Sequence, residues 1–122
     1  MIGLPAGVRI WLVSGITDMR KGMDSLSAHV QTALAEDPFN GQLFIFRGRR
    51  ADRLKILWHQ AQGLCLYYRR LDEGHFVWPQ ATSGTVLLSA AQLSLLLEGI
   101  DWRRAHRSGN VEADPTPPTI AA

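Results

Sequence analysis

Two runs of large apolar residues, QLFIFR (42–47) and RLKILWH (53–59), stand only five residues apart, with GRRAD between them. Runs this rich in aromatic and branched residues, joined by a connection this short with a glycine in it, predict a β-hairpin. Side chains alternate along a strand. Leu54, Ile56 and Trp58 therefore share one face of the second run, and Arg53, Lys55, Leu57 and His59 share the other. The first face reads as core and the second as at least partly wet. The hairpin tip carries Arg47, Arg49, Arg50, Arg53 and Lys55 around a single acid, Asp52.

The neighbouring segments extend this pattern. LCLYYRRL (64–71) follows after QAQG, and HFVWP (75–79) follows after DEG, which predicts further antiparallel strands in a meander. Upstream, VRIWLVSG (8–15) reads as a strand. In TDMRKGMDSLSAHVQTALAEDP (17–38), Met19, Met23, Leu26, Val30 and Leu34 fall at three- and four-residue steps, the apolar stripe of a helix. Thr17 or Asp18 is its expected N-cap and Pro38 its stop. Downstream, LLSAAQLSLLLEGIDW (87–102) has helical spacing, with a capping-box offset between Ser89 and Gln92 and a terminal glycine at Gly99. The predicted architecture is α+β: an antiparallel sheet of four to five strands with two main helices packed on it.

A chain of 122 residues, 46% hydrophobic and 20% charged, is long enough for one core and too short for two. We expect one domain over 1–107 and a disordered proline-rich tail over 108–122. No apolar run approaches the roughly 18 residues of a membrane span, and no secretory signal pattern opens the chain, so a cytoplasmic protein without membrane contact is expected. The single cysteine, Cys65, excludes an internal disulfide and reads as a buried, inert thiol. With Glu112 and Asp114 of the tail set aside, thirteen bases face nine acids, and eleven of those bases are arginine. Guanidinium forks suit phosphates and carboxylates, so an anionic partner is implied.

No catalytic constellation emerges. His29, His59, His75 and His106 occur singly, without the spacing of metal ligands, and neither a nucleophile elbow nor a phosphate-cradling glycine loop is present. Among the acids, Asp18 fits a helix cap, Asp24 lies beside Arg20 and Lys21, and Asp52 sits within the arginine cluster. No metal, cofactor or catalytic residue is expected. What remains is basic residues interleaved with aromatics: the hairpin group, then Arg69 and Arg70, then Arg103, Arg104 and Arg107, beside Trp58, Tyr67, Tyr68, Phe76 and Trp78. Such a surface can hold nucleic acid through phosphate contacts and base stacking. Composition and pattern leave a protein-binding adaptor open beside it.

Four segments carry a resemblance: GITDMRKGMDSL (15–26), DPFNGQLFIFRGRRADRLKIL (37–57), RRLDEGHFVWP (69–79) and LEGIDW (97–102). Together they resemble the TnpB accessory proteins of IS66-type insertion sequences, over roughly residues 8–103. This family shares only a name with the RNA-guided nuclease. The resemblance implies a small subunit encoded beside a second small accessory protein and a larger transposase that holds the strand-transfer carboxylates. Its blocks fall on Thr17 to Gly22, on Phe46 to Arg50 with Asp52, and on Arg69, Arg70, Leu71, Phe76, Trp78 and Pro79. His75 stands where the family commonly has arginine.

The sequence therefore predicts a non-catalytic accessory factor of transposition. It binds transposon DNA through Arg47, Arg49, Arg50, Arg53 and Lys55, with Arg20, Lys21, Arg69 and Arg70 as secondary contacts. The alternative is an adaptor of the transposase complex that never touches DNA.

Overall fold

A computed structural model describes residues 4–80 and 84–103. The elements run β1 (Ile10–Ile16), α1 (Met23–Thr32), β2 (Leu43–Arg47), β3 (Arg53–Gln60), β4 (Gly63–Arg70), β5 (Thr85–Leu88) and α2 (Ala90–Leu97). The five strands form one sheet in the order β4-β3-β2-β1-β5. The α+β class holds, with two helices on a mostly antiparallel sheet. The meander over β2, β3 and β4 holds, and the sheet as a whole is mixed: β1 and β2 run parallel, with Ile10 beside Leu43, because α1 carries the chain back to the same end of the sheet between them.

Other expectations need correction as well. HFVWP forms no strand; the fifth strand is β5, which pairs antiparallel with β1 from Ile10–Leu88 to Val13–Thr85. Leu87 and Leu88 thus belong to a strand, and the helix begins after them. Its capping box is in place, Ser89 Oγ accepting from Gln92 N at 3.1 Å and Gln92 Oε1 accepting from Ser89 N at 2.9 Å. At the other end Gly99, at φ 75°, donates to Leu96 O, and Ile100 donates to Leu95 O, which closes the helix in a Schellman turn.

The first helix is shorter than its apolar stripe. It starts at Met23 with Gly22 as N-cap and ends at Thr32, before Ala35 turns to φ 54° and well before Pro38. Asp18 does not cap it. Its carboxylate instead accepts the Arg20 backbone N–H at 2.9 Å, while its carbonyl accepts from Lys21 N, so residues 18–21 form a separate turn. Leu26 and Val30 are buried, whereas Met23 is exposed.

Both faces of the sheet are covered. On one, Ile10, Leu12, Leu43, Ile45, Leu54, Ile56 and Trp58 pack with Phe76, Trp102 and the α2 residues Leu93 and Leu96. On the other, Val13, Phe44, Phe46 and Leu57 pack beneath Leu26 and Val30 of α1. The second face of β3 is dry at Lys55 and Leu57 and partly wet at its ends, where Arg53 and His59 are half-buried. Cys65, expected inside, is exposed on β4. The tail 108–122 and Arg104 and Arg107 lie outside the described residues.

Candidate nucleic-acid interface

The β2–β3 hairpin closes through Gly48 N to Arg53 O and Arg53 N to Arg50 O, which leaves Arg49 and Arg50 exposed at the tip. Neither guanidinium has an acidic partner among the described residues. The tip is tied down from the side by the segment after β4. Ala51 O accepts both Phe76 N at 2.9 Å and Trp78 Nε1 at 3.2 Å, and Asp52 O accepts Leu71 N at 2.9 Å. A loop held at three points presents its arginines without first having to be ordered.

Strand alternation splits the remaining bases between the two faces. In register, Arg47 lies beside Leu54 and Leu54 beside Arg69, all on the α2 face. Arg47 packs its guanidinium 5.6 Å from the centre of the Trp78 ring, and its Nε is buried without a hydrogen bond. Arg69 Nε donates to Leu97 O at 2.8 Å, a carbonyl at the end of α2, where a cation also complements the helix dipole. Both are therefore engaged in packing and reach solvent only in part.

On the α1 face, Lys55 sits between Phe46 and Tyr68, and Arg53 lies opposite Arg70. Lys55 is 8% exposed; its ammonium donates to Lys21 O at 2.8 Å and stands 5.0 Å from the Tyr68 ring centre. It ties the 18–21 turn to the sheet. Arg53 is half-buried with its Nε 3.7 Å from Asp52 Oδ1, close enough for an ion pair and too far for a hydrogen bond. Arg70 and Lys21 are exposed. Arg20 is exposed and bound to Asp18 by its Nε and Nη2, and this guanidinium holds the Asp18 carboxyl well below the usual carboxylate range.

Of the nine predicted contacts, then, the structure gathers Arg49, Arg50, Arg53, Arg70, Lys21 and Arg20 at the tip end of the molecule. Lys55 is withdrawn into the protein. Gly48 is where the 18–21 turn meets the hairpin: a Cβ there would come within 2.7 Å of Met19 Cγ. Arg103, from the third basic group, is paired with Asp101 at 3.0 Å.

The four tryptophans have internal duties. Trp58 is 6% exposed and donates to Gly41 O, and Trp78 lies under Arg47. Trp102 donates to Val77 O at 2.7 Å and Trp11 to Gln42 Oε1, so every indole N–H fastens a loop or a strand. The Trp78–Ala51 bond escaped sequence reasoning, because HFVWP has the residue types of a strand and nothing local marks it as a clamp. Among the described residues no group of three metal-ligating side chains occurs, and no helix is long and apolar enough to cross a membrane. An open cleft of about 330 Å³ lies at the other end of the sheet, with Arg9, Asn40 and Gln42 in its lining.

The fold and the site together define a small α+β domain with a clamped basic hairpin. The chain belongs to the IS66 Orf2-like family, whose model matches residues 8–107, and with it to the accessory proteins of IS66-type insertion sequences. Two relatives come from Sinorhizobium fredii (strain NBRC 101917 / NGR234). Uncharacterized protein y4hO is 53% identical over 102 residues, spanning 82% of this chain and 89% of its own. Uncharacterized protein y4jC is 38% identical over 107 residues, 88% of this chain and 92% of its own. No solved structure matches.

Proposed function

We propose that the protein is a non-catalytic accessory factor of transposition that grips the DNA backbone with its basic hairpin tip and assists the larger transposase of the same element. The observation that carries this reading is the pair Arg49 and Arg50, exposed and without an acidic partner among the described residues, on a loop held by Ala51 and Asp52. Arg53, Arg70, Lys21 and Arg20 surround them as further contacts, while Arg47, Arg69 and Lys55 support the surface from within. The second small accessory protein and the transposase are the expected protein partners.

Titration of the protein against transposon-end duplex at several salt concentrations tests the proposal. With about four phosphates neutralised, log affinity should fall against log salt with a slope of roughly −3 to −4. The double change Arg49→Glu, Arg50→Glu should reduce that slope by about 2 and weaken binding at least tenfold at low salt. Binding that ignores salt, or that survives the double change, overturns the DNA reading. Retained capture of the transposase by a protein that binds no DNA would establish the adaptor instead.

A further inference from the structure

The sheet has two open edges, and they are built differently. β5 offers four residues, whereas β4 offers eight, Gly63–Arg70, paired to β3 without a bulge and without proline. Natural edge strands are usually kept short, bulged, or broken by proline or charge to discourage pairing. Most of β4 lacks these defences, its charges being confined to Arg69 and Arg70 at one end. Leu64 and Leu66 lie against the α1-side core, and Tyr67 against the other. All three remain partly exposed, Tyr68 is 50% exposed and Cys65 is exposed. The core is thus left open along this edge.

The hydrogen-bonding phase of the edge follows from the β3–β4 turn. Ala61 and Gln62, at φ 48° and 64°, form a two-residue loop of the I′ kind, so the closing pair Gln60–Gly63 is hydrogen-bonded. Alternation along the ladder then turns the N–H and C=O of Gly63, Cys65, Tyr67 and Arg69 toward β3. Those of Leu64, Leu66, Tyr68 and Arg70 turn outward, and Leu71 N to Asp52 O agrees with this phase.

We propose that β4 pairs antiparallel with β4 of a second copy, about a two-fold axis through Leu66. This register sets Leu66 against Leu66, Leu64 against Tyr68 and Cys65 against Tyr67. It sets Arg69 against Gly63 and Arg70 against Gln62, so the cationic end of each strand meets neutral residues and no like charges are opposed. An isologous contact of this kind closes on itself and joins the two five-stranded sheets into one, with the basic tips at opposite ends. The inference is independent of whether those tips bind DNA.

Sedimentation or light scattering of the purified chain should give, with rising concentration, twice its 13.6 kDa mass. Leu66→Pro removes an outward N–H that the monomer does not use, so this variant should stay folded by circular dichroism and be monomeric. The register has its own check. Cys65→Ser with Leu66→Cys should form an intermolecular disulfide on mild oxidation. Wild-type Cys65 should not, since diagonal partners across such a ladder lie beyond disulfide reach. A wild-type chain that stays monomeric at every concentration, a folded Leu66→Pro dimer, or wild-type cross-linking as fast as the variant's would each overturn the proposal. So would β4 capturing an extended segment of another protein while the chain itself stays monomeric.

Discussion

Lys55 shows how a charge can belong to the fold and not to the surface. A buried ammonium is tolerated only when its protons are satisfied, and here the Lys21 carbonyl and the Tyr68 ring satisfy it. Lys55→Met should therefore lower stability by about 1 kcal/mol through the lost hydrogen bond, and leave DNA affinity within about twofold. Denaturant melts and the salt titration, run on the same variant, check both halves. His29 makes a second case. Burial, reinforced by the positive charge of Lys21, lowers its imidazole pKa, and its ring meets Phe46 edge-on at 5.9 Å. The neutral form is favoured in the folded state, so this contribution is intact above the ordinary imidazole value near 6.5 and declines as pH falls below it toward the lowered value. His29→Gln should flatten that part of the stability curve, which thermal melts of the two proteins from pH 7.5 down to about 5 would reveal. No charge pattern distinguishes Lys55 from Arg49 in the sequence. Alternation assigns Lys55 a face, but only the packing of the 18–21 turn shows that this face is dry there.

At the level of elements, signals that depend on near neighbours were legible and signals that depend on distant ones were not. The β2–β3 hairpin follows from two apolar runs and a five-residue gap, and the α2 cap from Ser89 and Gln92. Ser89→Ala should accordingly cost about 1 kcal/mol, measurable as a lowered denaturation midpoint with an unchanged slope. β5 was hidden because Val86 and Leu88, its buried residues, run without interruption into the apolar spacing of α2. Asp18 misled for a different reason: aspartate favours a helix cap and a tight turn for the same short-range hydrogen bond, and here the turn prevails. The candidate site was legible as a cluster of bases. Its division by strand register, with Arg47 and Arg69 on one face and Arg53 and Arg70 on the other, came only with the pairing.

Across the whole molecule, the order β4-β3-β2-β1-β5 places the first strand of the chain between the second and the last. Its neighbours are β2, reached through α1, and β5, which begins at Thr85. A nascent chain emerging from the ribosome therefore carries β1 with one hydrogen-bonding edge unsatisfied until β5 has been made, and the Leu93 and Leu96 cover for one face of the sheet arrives later still. Long-range closure of this sort is slow, and exposed strand edges invite wrong partners while it is pending. The penalty for truncating this protein near residue 80 should thus fall on its amino-terminal strand.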